Sequence, residues 1–128
     1  MPNPRFSRFF PRWLIFLAWA ITLAWLSLIP NPPEIKAGFF GWDKFQHAAA
    51  YGVLTLFAGW AFACFPCDVK RCWLRAVLAA VSFGGLLEIA QGLFTKTRAA
   101  EFGDLAADFV GAACMYAIMM AAFHRRNT

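Results

Sequence analysis

Charged side chains are scarce in this chain. Lys and Arg total 12 and Asp and Glu total 7 in 128 residues, or 15%, against about 25% in soluble domains. So little charge cannot cover a solvated surface, which excludes an ordinary soluble domain. Also missing are a phosphate-binding P-loop, a dinucleotide-binding glycine fingerprint and any basic stripe interleaved with aromatics. Nucleotide cofactors and nucleic-acid partners have no anchor here, and no cofactor is expected. There is no internal repeat and no low-complexity tract, and the length suits one domain, residues 1–128.

Apolar residues are abundant. They make up 61% of the chain, with 15 Phe and six Trp, and the mean hydropathy is +0.54. Four apolar runs stand out, at 13–29, 45–65, 73–94 and 105–123, of 17, 21, 22 and 19 residues. A membrane-spanning helix needs about 20. The first run follows Arg5, Arg8 and Arg12, as a signal peptide would, but SLIPNPP contains no A-x-A-like cleavage site. It is read as an uncleaved helix. Pro30, Pro32 and Pro33 end it, Pro66 ends the second run and the polar stretch TKTRAAEFGD ends the third. Trp13, Trp42 and Trp73 fall at run starts, where amphipathic rings prefer the head-group layer. Small residues at Gly52, Gly59, Gly84, Gly85 and Gly111 allow close helix approach in lipid. The expected fold is all-α, a compact four-helix transmembrane bundle.

Lys and Arg set the expected orientation. Arg5, Arg8, Arg12, Lys70, Arg71, Arg75, Arg125 and Arg126 fall on one side, and Lys36, Lys44, Lys96 and Arg98 on the other. The positive-inside rule then places both termini and the 66–72 loop in the cytoplasm. Loops 30–44 and 95–104 face outward.

That topology gathers the unusual residues. Asp43, His47 and Tyr51 are four apart, so each step turns about 40° and the three share one stripe at the outer start of the second helix. Glu88 and Gln91 lie on one face near the outer end of the third, Glu88 roughly 9 Å below the boundary. Asp104 and Asp108 open the fourth helix, and Lys44, Lys96, Arg98 and Glu101 flank the layer. An ionisable group within a span is a functional-site hypothesis by default. Structural alternatives stand beside it. Asp43 and Asp104 suit helix caps, His47 an interfacial histidine, and Tyr51 packing with its hydroxyl on a carbonyl. Lys44, Lys96 and Glu101 suit solvated boundary charges. Arg98 suits snorkelling or a pair with Asp104 or Asp108, and Glu88 a pair with Arg98 or His47. The set as a whole favours a site.

The order DKFQHAAAY, EIAQ and R-x5-D-x3-D-x2-G resembles the VanZ-like family of small bacterial membrane proteins. The matching positions are Asp43, Lys44, His47, Tyr51, Glu88, Gln91, Arg98, Asp104 and Gly111, with Ser27 and Pro30 in the SLIP ending of the first run. Asp108 stands where that family usually has Asn. The resemblance implies a cell-envelope protein of the bacterial inner membrane, in a family linked to resistance to the glycopeptide teicoplanin. It attaches no defined reaction.

Four functions compete. The first is an outward-facing site for a phosphorylated lipid or lipid-linked cell-wall precursor. Arg98 and Lys44 would meet phosphate, Asp43, Tyr51, Gln91, Asp104 and Asp108 would line the site, and His47 and Glu88 would be the acid–base candidates. Membrane lipids are the other expected partners. The second is a quinone-linked thiol oxidoreductase built on the Cys64 and Cys67 of CFPC. Cys72 and Cys114 have no evident partners, and a disulfide is not expected in a cytoplasmic loop. The third is metal ligation by Asp43, His47, Glu88 and Asp104, suiting Mg or Mn better than Zn. No metal site is assigned, because Lys44 and Arg98 are close enough in sequence to neutralise the acids. The fourth is a non-catalytic scaffold whose polar cluster clasps the helices together.

Overall fold

The computed structural model describes residues 4–31, 38, 43–96 and 100–126. Pro32, Pro33, Lys36, Trp42 and Arg98 lie outside the described residues. Four helices follow one another: α1 (Pro4–Leu28), α2 (Asp43–Phe62), α3 (Val69–Phe94) and α4 (Phe102–Arg126). They form the expected all-α bundle, and no strand occurs among the described residues.

Each helix begins before the apolar run that announces it. α1 starts at Pro4, where a missing amide donor costs nothing, and continues through Pro11. α3 starts at Val69 after Asp68, and α4 at Phe102, with Glu101 O accepting from Asp104 N–H. Polar residues in a first turn are helical without being apolar, so hydropathy misses them. At the other end α2 stops at Phe62, short of residue 65. The bonds Cys64 N–H to Ala61 O and Phe65 N–H to Phe62 O tighten its last turn ahead of Pro66.

Among the described residues, three helical segments are long and apolar enough to cross a membrane: Phe9–Leu28, Val69–Phe94 and Phe102–Arg126. α2 has the length, 20 residues, but its opening DKFQH dilutes its apolar character. It tolerates this because it is enclosed, packing on α1, α3 and α4. Among the described residues α1 packs on α2 and α3. Leu14, Ile21, Trp25, Leu78, Leu86, Ile89, Leu93, Phe109 and Ile118 are exposed around the outside. An apolar exterior over a bundle is the arrangement a bilayer favours.

The core joins Leu23, Tyr51, Leu54, Val77, Ala80 and Ala112. Hydrogen bonds from Trp19 Nε1 to Ala50 O (3.1 Å) and from Gln91 Nε2 to Ser27 O (2.9 Å) fasten α1 to α2 and α3. Trp73 turns its ring into the bundle. It is buried, its ring set against Gly59, where a Cβ would lie 2.5 Å away. The tightest approach is between α2 and α4. A Cβ on Gly111 would collide with the Ala48 carbonyl, and one on Gly52 would sit 3.3 Å from Gly111 O.

The cysteines depart from expectation. Cys67 is disulfide-bonded to Cys72, five residues on, with Cα atoms 6.0 Å apart. This overturns the reading that Cys72 lacks a partner and that CFPC holds the meaningful pair. The first turn of α3 folds Cys72 back over the connection, a placement that C-x4-C spacing alone does not reveal. Cys64 stands outside the disulfide, with Arg12 Nη1 3.9 Å from its sulfur.

Two outcomes follow. Gly111→Ala forces backbone apart at the α2–α4 crossing and lowers stability by about 1–3 kcal/mol. Gly85→Ala, whose added Cβ meets only Leu105 Cδ1 at 3.9 Å, is tolerated; thermal unfolding in detergent compares the two. Maleimide labelling of the purified protein modifies Cys64 and Cys114 directly and reaches Cys67 and Cys72 only after reduction.

Candidate functional site

The start of α2, the end of α3 and the start of α4 meet at one end of the bundle. On α2, Asp43 and His47 lie one turn apart, 4.0 Å between Oδ1 and Nε2. His47 and Tyr51 follow one turn further, with rings parallel and centroids 6.4 Å apart. The expected stripe is therefore present. On α4, Asp104 and Asp108 also lie one turn apart and both are buried.

The tight α2–α4 crossing puts these two stripes face to face. Lys44 Nζ donates to Asp104 Oδ1 and, at 2.7 Å, to Glu101 Oε2, and it lies 3.6 Å from Asp43 Oδ2. Its stem runs over Gly103, where a Cβ would lie 3.1 Å from Lys44 Cε. The Asp104 and Glu101 hydrogen bonds push the Lys44 pKa above its usual value, so the ammonium stays charged across the physiological range. Lys44 is thus a clamp on α4, more than the solvated boundary charge that sequence alone permits.

His47 is held from two directions. Nδ1 is 3.0 Å from Asp108 Oδ1, while Nε2 faces Asp104 Oδ2 at 3.6 Å and Asp43 Oδ1 at 4.0 Å. Asp108 is 1% exposed, and its second oxygen has no hydrogen-bond partner among the described residues. That oxygen occupies the space beside Gly84, where a Cβ would lie 2.5 Å from Oδ2 and 3.0 Å from the Tyr51 ring. A side chain at position 84 would displace the carboxylate.

Glu88 and Gln91 serve different neighbours. Glu88 Oε2 accepts the Glu101 backbone N–H at 2.9 Å, tying α3 to the start of α4. Gln91 reaches Ser27 O on α1. Glu88 and His47 share the layer, but no hydrogen bond joins them among the described residues. Arg98 falls within 97–99, outside the described residues, so its expected pairings carry no geometry here. Asp104 is directed at α2, with Oδ1 accepting from Lys44 and Oδ2 facing His47.

Glu101 is the residue that sequence reasoning undervalued. Its carboxylate holds Lys44, its N–H holds Glu88 and its carbonyl accepts the first α4 amides. Its position three before Asp104 at a helix start was the available signal. One ligand atom each from Asp43, His47 and Asp104 lies within 4.8 Å of the others, a spacing able to hold a metal ion. Glu88 is not part of that group.

No protein-family model, curated protein or solved structure matches this chain.

Removing the clamp separates the buried acid from the exposed one. Lys44→Met leaves Asp104 buried without its ammonium and costs about 1–3 kcal/mol. Glu101→Gln, at an exposed carboxylate, costs less than about 1 kcal/mol. Unfolding midpoints in detergent measure both.

Proposed function

We propose that this chain is a multi-pass protein of the bacterial inner membrane, similar to VanZ-like proteins. Its polar end binds the phosphorylated head of a lipid-linked envelope precursor. One observation carries the reading: carboxylates, an imidazole and an ammonium from three helices are gathered at one end of a bundle whose exterior is apolar. The order of the DKFQHAAAY, EIAQ and R-x5-D-x3-D-x2-G segments supports the family likeness. The eight-to-four distribution of Lys and Arg supports an outward-facing polar end, with both termini cytoplasmic. The Cys67–Cys72 disulfide favours the inverse orientation, since disulfides persist in oxidising compartments. Labelling of Cys64 and Cys114 in intact cells, with and without permeabilisation, decides between the two.

Within this reading, Lys44 is already held by Asp104 and Glu101. Arg98 and the positive N-terminal ends of α2 and α4 therefore carry the phosphate interaction. His47 and Glu88 are the candidate proton-transfer groups. Their lack of a mutual hydrogen bond favours binding over turnover.

A second reading has its own support. Lys44 with Asp104, His47 with Asp108 and Gln91 with Ser27 satisfy one another across helices, as a structural clasp in a non-catalytic scaffold would. Binding to vesicles that contain phosphatidic acid, compared with pure phosphatidylcholine, separates the two. Under the lipid reading, Arg98→Gln weakens the preference for phosphatidic acid about tenfold, the worth of one charge-assisted hydrogen bond, while folding is retained. A wild-type protein with no such preference, and His47→Ala and Glu88→Ala variants that simply unfold, would establish the clasp.

A further inference from the structure

We propose that Asp43, His47 and Asp104 form a binding site for a divalent first-row transition ion of the Mn²⁺ or Zn²⁺ kind, with Asp108 as the residue that orients the imidazole. The inference does not depend on the lipid reading.

The distances are the first support. Nε2 of His47 lies 3.6 Å from Asp104 Oδ2 and 4.0 Å from Asp43 Oδ1. These are too long for hydrogen bonds, which fall at about 2.7–3.2 Å. They are near the separation of ligands that share one ion, since metal–ligand bonds of about 2.0–2.2 Å place adjacent donors roughly 3–3.5 Å apart. All three donors fit within 4.8 Å, so closing onto an ion requires only small side-chain rotations.

The second support is the orientation of the ring. Asp108 Oδ1 lies 3.0 Å from Nδ1, and an ionised carboxylate can only accept. With Asp108 ionised, Nδ1 carries the proton, and the other nitrogen is aimed at the two aspartates. A histidine that ligates a metal commonly donates its second N–H to a carboxylate, which fixes the tautomer and raises the basicity of the ligating nitrogen. Asp108, 1% exposed on α4, supplies that carboxylate.

The third is how the carboxylate oxygens are divided. Lys44 binds Asp104 through Oδ1 and lies beside Asp43 Oδ2. The oxygens facing His47 are Asp104 Oδ2 and Asp43 Oδ1. Lys44 thus takes one oxygen of each acid and leaves the other directed at Nε2.

Charge adds to this. The connected network holds Asp43, Glu88, Glu101, Asp104 and Asp108. Among the described residues, the charges facing them are Lys44 and, when protonated, His47. A dication offsets the excess where an apolar exterior makes uncompensated charge costly. One imidazole with two carboxylates suits Mn²⁺ or Zn²⁺ better than Mg²⁺ or Ca²⁺, which take oxygen ligands. Three protein donors leave further coordination positions for water or an anionic oxygen.

The competing account is an imidazolium paired with both aspartates, with no ion. Full-length protein in detergent, stripped with a chelator and kept free of phospholipid, distinguishes them by titration with Zn²⁺ and with Mn²⁺. Calorimetry should give one ion per chain, and pulsed spectroscopy on the Mn²⁺ form should show nitrogen coupling that His47→Gln removes. Asp43 is 59% exposed, so Asp43→Asn leaves the fold intact and should weaken affinity at least about tenfold. Asp108→Asn should weaken it by about 10–100-fold, as loss of an orienting carboxylate does elsewhere. Absence of stoichiometric binding by the wild type would overturn the proposal. So would affinity and nitrogen coupling unchanged in Asp43→Asn and His47→Gln, which would place the ion elsewhere, for example at His124. Because no lipid is present, failure here leaves the phospholipid test untouched, and the reverse holds as well.

Discussion

The close approach of α2 and α4 is the constraint on which the rest of the molecule depends. Gly111 has no side chain, so the Ala48 carbonyl can lie against its backbone, and Gly52 faces Gly111 O one turn further along. In lipid there is no hydrophobic drive between helices, and association relies on such packing together with polar contacts. One turn beyond the glycines, towards the helix starts, the same approach brings Lys44 and His47 within reach of Asp104 and Asp108. The polar layer is a consequence of that crossing. A wider spacing would leave these acids buried without partners, a state the membrane interior penalises heavily.

The layer is organised by the way each acid divides its oxygens. Asp104 gives one to Lys44 and turns the other towards His47, while Asp108 gives one to the opposite nitrogen of the same ring. Glu88 spends an oxygen on the first amide ahead of α4. Three helices are thereby fixed by few groups, and each residue has a defined direction. Such pre-orientation is what binding chemistry needs, and it is also what a structural clasp would look like. The distinguishing feature is the His47 nitrogen that faces two carboxylates at distances too long for hydrogen bonds.

Much of this was legible in the chain, for a simple reason. Helical periodicity and hydropathy are local properties, so the runs and the stripes Asp43–His47–Tyr51 and Asp104–Asp108 follow from spacing. The helix starts were less legible because DKFQH and VKRC are helical without being apolar. The Cys67–Cys72 pairing was missed because it depends on where the first turn of α3 folds over the loop. The burial of Trp73 was not legible because it depends on the slot that Gly59, on another helix, opens for the ring. Glu101 resembled a boundary charge, since its backbone contributes as much as its carboxylate.

The amino-acid sequence by itself determined an all-helical chain of long apolar runs, with Asp43, His47, Glu88 and Asp104 brought to one end, because period and composition decide both. Only the tertiary structure decided which groups meet. Whether Lys44 holds Asp104 or a ligand, and whether His47 faces Glu88 or Asp108, depends on how two helices cross. So does whether EIAQ binds one neighbour or two. A helix crossing is set by contacts between residues far apart in the chain, and no spacing within a single helix encodes it.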